Sequence, residues 1–198
     1  ETRQVPITTI VQNYNPRKTS VVLGEEEKVL YGKGFILDTL CGKTYAISPR
    51  SFYQVNPIQT AVLYGLAVDA AHLTGKETVL DAYCGIGTIG LTASGKAKQV
   101  VGVEVNRDAV HDAIGNAKHN GVRNARFFAA DATAWIREAA DAGDRADVIF
   151  MDPPREGSTP EFLESVVRMA PKRVVYVSCN PETMARDLAL LTRKGYRA

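Results

Sequence analysis

Cys179 stands just after the apolar run RVVYV and one serine, and Asn180 and Pro181 follow it at once. Val174, Val175, Tyr176 and Val177 have the composition of a buried strand. Asn180 and Pro181 suit the N-cap and first position of a helix. The cysteine therefore belongs to a strand-to-helix turn, where unpaired backbone N–H groups and the helix dipole favour negative charge. A thiol in that setting ionises more readily than a free one, and the thiolate is the nucleophile. The competing reading is a small buried hydrophobe at a strand end, because free cysteine is among the most buried residue types.

Other chemistry-bearing groups also fall at the ends of strand-like runs. In LDAYCGIGTIG, Gly85, Gly87 and Gly90 match G-x-G-x-x-G, and Glu104 ends the next run about 20 residues on, the pattern of a dinucleotide site. Glu104 suits the two hydroxyls of a ribose in any adenosine-bearing cofactor. Asp81 discriminates: a carboxylate there repels a pyrophosphate and favours the sulfonium and amino group of S-adenosylmethionine over a nicotinamide dinucleotide. Asp131, in FFAADATAW, is placed to accept from an adenine amine, to cap the helix that follows, or to do both. Asp152 opens MDPPREG, whose two prolines cannot continue a ladder and set a rigid, extended turn. That turn is either a platform for a planar substrate or a simple cap. Base-modifying amino-methyltransferases place an aromatic residue at the fourth position of a similar turn; Arg155 stands there and argues against that chemistry. Trp135 and the phenylalanines are assigned to the core. A nucleophilic cysteine beside a methyl donor suits a carbon acceptor with no nucleophilicity of its own. Carbon 5 of uracil is one, since thiolate addition at carbon 6 makes an enolate that can take a methyl group.

These residues need rigid elements to hold them. Up to residue 53, TTIVQNYN, SVVLGEEEKVLYG and GFILDTLCGKTYAIS are β-prone stretches parted by turn residues, which predicts antiparallel hairpins with Glu25–Glu27 as a solvated turn. From Asn56, a cap followed by Pro57, helices and strands alternate. The predicted strands are TVLDAY, QVVGVEV, ARFFAA, ADVIFMD and RVVYVS. The first helix is NPIQTAVLYGLAVDAAHL, and others run from about Thr88, over Arg107–His119, Ala132–Ala140 and Pro160–Ala170. Asn106 caps the helix at Arg107, and Asn120–Gly121 stops it. This alternation predicts a parallel, doubly wound sheet with ligands at the carboxyl ends of its strands. His72, His111 and His119 fall on predicted helices as bystanders.

Length and composition bound the reading. The 198 residues suit one good-sized domain with a small appendage, and the net charge of +2 permits nucleic-acid binding without arguing for it. No apolar run reaches membrane-spanning length, and ETRQVPITTI has no signal-peptide pattern. Cys41, Cys84 and Cys179 make neither a disulfide framework nor a C-x-x-C metal site, which fits a reduced, cytoplasmic protein with no metal.

The stretches ISPRSFYQVNPIQT, VLDAYCGIGTIGL, VVGVEVN, MDPPREG and VVYVSCNPETMARDL, spanning about residues 46–188 in this order, resemble the RNA (uracil-5-)-methyltransferases. SCNP paired with DPPR is far more specific than the glycine pattern. The resemblance implies Cys179 as nucleophile, with Gln54, Tyr83, Glu104, Asp131 and Asp152 around the cofactor and target base. Gly85 and Thr88 join the cofactor set, Thr88 standing where relatives often carry asparagine. Phe52 is implied as the aromatic that stacks on the flipped uracil, with Gln54 and Asp152 also on the substrate. Two departures are visible: no N-terminal RNA-binding barrel or iron–sulfur cysteine cluster is present, and the family's proton-removing glutamate is not reached before LLTRKGYRA. The expectation is thus a catalytic-domain fragment that does not turn over.

The expected architecture is α/β: a doubly wound, mostly parallel sheet of the S-adenosylmethionine-dependent methyltransferase type, preceded by a small antiparallel β-rich segment. Residues 1–53 form a partial RNA-contacting subdomain, and residues 54–198 a methyltransferase domain truncated at its C-terminus. The expected reaction is methylation of carbon 5 of a uridine in structured RNA through a cysteine adduct, with 23S ribosomal RNA ahead of transfer RNA and no obligate protein partner. The rivals are a non-catalytic S-adenosylmethionine-binding module with a structural Cys179, and a nicotinamide-dependent oxidoreductase.

Overall fold

The β-prone stretches at the start of the chain pair with their neighbours in sequence. The computed structural model describes residues 6–18 and 22–198. In it β1 (Thr9–Tyr14) pairs antiparallel with β2 (Glu26–Gly32), and β3 (Ile36–Leu40) with β4 (Lys43–Ile47). Part of the SVVLG stretch, Ser20 and Val21, lies outside the described residues. The acidic run departs from expectation, because Glu26 and Glu27 begin β2 rather than forming a turn. The residues of β2 are exposed, and Glu27 accepts from Asn13 Nδ2 at 3.1 Å and lies 3.5 Å from Arg50 Nε, so carboxylates on this ribbon are either hydrated or paired.

Five parallel strands form the main sheet: β5 (Thr78–Ala82), β6 (Gln99–Glu104), β7 (Ala125–Ala129), β8 (Val148–Met151) and β9 (Arg173–Tyr176), in the order β7-β6-β5-β8-β9. The chain winds outward from β5 to β7 and then crosses to β8, so the order switches between β5 and β8. Side chains alternate between two apolar layers, as the period of a strand requires. Val79, Val148 and Phe150 face α1 (Pro57–Ala70), α2 (Thr88–Ala93) and α3 (Arg107–His119). Leu80, Ile149 and Met151 face α4 (Ala132–Asp141), α5 (Pro160–Met169) and α6 (Pro181–Arg193). Asn56, Asn106, Asp131, Thr159 and Asn180 each cap a helix by accepting from an N–H in its first turn. The first helix ends at Ala70, short of the expected Leu73, because His72 takes a left-handed φ of 46° and closes onto Asp69 O. His72 is therefore an exposed turn residue rather than a helical one. No helix among the described residues is long and apolar enough to cross a membrane.

The second ribbon is fastened to the main layer by polar side chains. Tyr45 and Ile47 bury their apolar bodies under α1–α3, which leaves the outer edge of β4 without a strand beside it. Asp112 and Asn116 of α3 and its C-cap Asn120, four apart, fill that edge. Asn120 accepts from Thr44 N and donates to Thr44 O, at 2.9 and 2.7 Å. Asn116 does the same for Ala46, at 2.8 and 3.3 Å, and Asp112 accepts from Ser48 N at 3.3 Å. The match is geometric: four helical residues rise about 6 Å and two strand residues about 6.7 Å, so three rungs stay in step. Asn116 is fully buried and also reaches Ile86 O.

A buried carboxylate anchors the glycine turn. Asp81 on β5 is 1 % exposed and accepts from Gly90 N at 2.7 Å. A Cβ at position 90 would lie 2.8 Å from that same oxygen, so glycine is what lets α2 come this close. Burial pushes the Asp81 carboxyl up to about 7, against the pull of the Gly90 N–H.

Asn116→Ala strands the Ala46 backbone groups and Ile86 O, and is expected to lower unfolding free energy by about 2–3 kcal/mol in urea titration. A loss under about 0.5 kcal/mol would mean that water or another group replaces the amide. Asp81 gives a pH signature. Its carboxyl titrates higher in the folded than in the unfolded chain, so the folded state holds the extra proton between about pH 4 and 7 and stability falls as pH rises through that window. The contribution is up to about 4 kcal/mol for a shift of this size, and Asp81→Asn should flatten the slope. An unchanged pH–stability profile in that variant would assign the slope elsewhere.

Candidate active site

The carboxyl ends of the five strands surround a cavity of about 640 Å³. Each strand delivers a wall to it: Tyr83 and Gly85 after β5, Glu104 and Val105 at the end of β6, Asp131 after β7, Asp152 to Arg155 after β8, and Cys179 after β9. Phe52 and Gln54, beyond β4, close the remaining side. Thr88 faces a smaller adjoining cavity of about 40 Å³ with Tyr53, Gln54, Tyr64 and Asp152, and donates to the Tyr64 hydroxyl at 3.2 Å. Of the residues that the family resemblance implies here, Thr88 is the one outside the larger cavity. Asp81 also departs from expectation. It lies under the glycine turn and lines neither cavity, because the turn folds over it.

Glu104 is held by both oxygens. Oε2 accepts from Gly85 N at 3.1 Å and Oε1 from Asn106 N at 2.8 Å, so the carboxylate couples the glycine turn to the start of α3. Asp131 caps α4 through Oδ1, with Ala134 N at 2.9 Å, and stays exposed at the cavity. Asp152 is half-buried between the prolines and Met151, and burial pushes its carboxyl up to about 6. Tyr83 is strained, with φ at 63°. Its ring packs on Phe162 with centroids 5.3 Å apart, its hydroxyl reaches Ser158 Oγ at 3.4 Å, and burial raises its phenol. The Phe52 ring is 74 % exposed and Val105 70 %, two apolar groups left open to the cavity.

Cys179 is exposed, which removes the reading of it as a buried hydrophobe. The strand stops three residues earlier, at Tyr176. Ser178 Oγ then accepts from Asn180 N and donates to Asn180 O, at 3.0 and 2.9 Å, pinching the backbone around the cysteine. Asn180 Oδ1 accepts from Glu182 N at 3.1 Å to start α6, and Nδ2 donates to Arg155 O at 3.1 Å. The site therefore combines a solvent-open thiol, three carboxylates with distinct surroundings, and an exposed aromatic ring around one cavity. Sequence reasoning missed Val105, whose signal was an apolar residue placed after a strand's terminal carboxylate. It also missed Ser178, which pinches the cysteine turn, whereas Asn180 was read there as the cap of the following helix.

Comparison with known proteins follows the same lines. The family described as tRNA (Uracil-5-)-methyltransferase matches residues 21–196. An uncharacterized RNA methyltransferase of Listeria monocytogenes serotype 4b is 54% identical over 195 residues, covering 98% of this chain and 43% of that protein. A second, from Halalkalibacterium halodurans, is 52% identical over 190 residues, covering 96% of this chain and 42% of that protein. The crystal structure of Pyrococcus abyssi tRNA (uracil-54, C5)-methyltransferase in complex with S-adenosyl-L-homocysteine superposes with a TM-score of 0.80 at 33% identity, over 94% of this chain and 45% of that one. The chain spans less than half the length of each of these proteins. With a family match across most of its residues and the methyltransferase sheet order beneath the cavity, the chain belongs to the tRNA (uracil-5-)-methyltransferase family.

Proposed function

We propose that this cavity takes S-adenosylmethionine and a uracil together, and that Cys179 activates the base for methylation at carbon 5. The observation that carries the reading is the exposed Cys179 thiol on the same cavity as Glu104, Asp131 and Asp152. The donor set fits the cofactor. Glu104 spends one lone pair of each oxygen on a backbone N–H and keeps a second for the two ribose hydroxyls. A Cβ at Gly85 would meet nothing within 4 Å, so the turn beside Glu104 opens onto free space where a ligand can approach the backbone. Asp131 keeps an oxygen for the adenine amine, Val105 offers an apolar face, and Asp152 and Gln54 present polar groups to the cationic end and the base edge. When bound, S-adenosylmethionine supplies an electrophilic methyl group.

The residues of the chain do the rest. The Cys179 thiolate adds to carbon 6, forming a C–S bond as the C5=C6 π pair moves into an enolate, and carbon 5 gains the electron density to take the methyl group. A base must then remove the carbon-5 proton, so that the C–S bond breaks with its electrons returning to sulfur and the double bond reforms. Phe52 stacks on the base once it has left its own stack, as enzymes acting on a nucleobase require. The RNA is a structured one, 23S ribosomal RNA first and transfer RNA second. Mass spectrometry of RNA from cells lacking the gene identifies the uridine that loses its methyl group. Glu104, Asp131 and Asp152 are committed to ligand contacts, so the 198 residues are expected to accumulate the adduct rather than turn over. A non-catalytic binding module and a nicotinamide oxidoreductase are the readings displaced.

Three measurements test this reading. Glu104→Ala removes both ribose acceptors and should weaken S-adenosylhomocysteine binding about 30- to 150-fold in isothermal titration. Undiminished affinity would take Glu104 out of the site, and tighter binding of NADH than of S-adenosylhomocysteine by the unmodified chain would restore the oxidoreductase. Cys179→Ala should fold normally, keep cofactor affinity and form no covalent complex with 5-fluorouridine RNA on denaturing gels and by intact mass. A covalent complex in that variant would assign the nucleophile to another residue. Free 5-methyluridine released over many turnovers by the 198-residue chain would show that one of its own groups takes the proton.

A further inference from the structure

Two loops meet beside Cys179, and the side chains joining them come from the cap and first half of α6. Asp187 is 1 % exposed and accepts through Oδ2 from Ser158 N at 2.7 Å and from the Tyr176 hydroxyl at 2.8 Å. Its Oδ1 accepts from Arg186 Nε at 2.9 Å. The Arg186 guanidinium continues outward, and Nη2 donates to Glu156 O at 2.9 Å and Ser158 O at 3.1 Å. Asn180 and Thr183 both donate to Arg155 O, at 3.1 and 3.2 Å. The loop after Asp152 is thus bound at three carbonyls, those of Arg155, Glu156 and Ser158, and at one N–H by the helix whose N-terminus follows Cys179. Gly157 marks how tight the junction is: at φ 77°, a Cβ there would stand 2.6 Å from Arg186 Nη2 and 2.7 Å from Asp187 Oδ2.

We propose that Asp187 and Arg186 are positioning residues, which lock the Pro153–Ser158 loop to α6 and so fix Cys179 relative to Asp152 and Arg155 across the cavity. The pair is not needed to attach α6 to the sheet, since Leu191 at 2 % exposure, with Leu188 beside it, packs into the apolar layer there. The pair is also a weak stabiliser, because the Arg186 side chain is half open to water and solvent screens its attraction for the buried carboxylate. What the pair supplies is direction. A carboxylate with two oxygens and a planar fork of N–H groups determine angles as well as distances. The same junction reaches the other side of the cavity, because Ser158, held by Asp187, is the residue that meets the strained Tyr83 through its hydroxyl.

The proposal rests on Cys179 being the nucleophile, and the test separates the two. Adduct formation with 5-fluorouridine RNA is followed in the presence of S-adenosylmethionine as a function of RNA concentration, for the unmodified chain, Arg186→Gln and Asp187→Asn. Arg168→Gln, which breaks an exposed pair with Asp141, is the control. Both α6 variants should lose about 10- to 100-fold in the limiting rate while the RNA concentration at half-maximal rate and the affinity for S-adenosylhomocysteine hold steady. Arg168→Gln should match the unmodified chain. If Asp187→Asn fails to fold, Arg186→Gln carries the test, because its side chain is 57% exposed. A lowered melting temperature with an unchanged limiting rate would overturn the proposal and leave the pair a purely structural contact. No adduct from the unmodified chain would instead overturn the assignment of Cys179, and the proposal with it.

Discussion

One wall of the cavity hangs on the outer edge of β4. That edge has backbone groups to satisfy and no strand to satisfy them, and α3 provides side-chain amides in place of a ladder. An asparagine can do this because its amide carries a donor and an acceptor on one plane, the same pair that a strand backbone presents. Asp112 extends the row to Ser48 and to the Ser51 hydroxyl, and Asn106 Nδ2 donates to Arg50 O. The chain is therefore guided along α3 until it releases Phe52 and Gln54 over the cavity. Asn106 also donates its N–H to Glu104, so the wall and the floor share a residue.

The loops at the strand ends are organised by carboxylates that contact no ligand space. Asp81 draws Gly90 N down onto β5 on one face of the sheet, and Asp187 draws Ser158 N down beside β9 on the other. Both are 1 % exposed. In each case a charged or ionisable acceptor inside the protein fixes an N–H that no backbone ladder satisfies, Gly90 N in the first turn of α2 and Ser158 N in a loop, and the short bond offsets part of the desolvation cost. The groups that do face the cavity differ from these. Glu104 and Asp131 use only part of their accepting capacity on the backbone, and Cys179 is held by its neighbours while its own thiol stays open.

The strands, the caps and most of the cavity were legible in the sequence. Val148–Met151 is a short apolar run that announces a buried strand, Val79 and Leu80 lead β5 in the same way, and Asn56, Asn106 and Asn180 each stand directly before a helix. A parallel sheet then places Glu104, Asp131, Asp152 and Cys179 on one rim by topology alone. What was not legible depends on partners distant in the chain. Asn116 and Ala46 are 70 residues apart, and nothing local marks that amide as a substitute strand. The depth of Asp81 depends on α2 folding over it, which its place at a strand end does not reveal. Glu26 and Glu27 looked like a turn because they are charged, yet an uncovered ribbon accepts charge on both faces.

The row along α3 also bears on how this chain can change through descent. Substitutions at the exposed positions of β3 alter one side chain at a time. An insertion or deletion of a single residue between Thr44 and Ser48 would shift every later backbone group by one pleat, presenting N–H and C=O groups that point away from α3. The rungs beyond the change would be lost together, and the segment carrying Phe52 and Gln54 would arrive out of register with the cavity. Length in this segment is thus constrained more strictly than residue identity. Relatives that differ freely in their surface residues should keep the same number of residues between the second ribbon and the first helix.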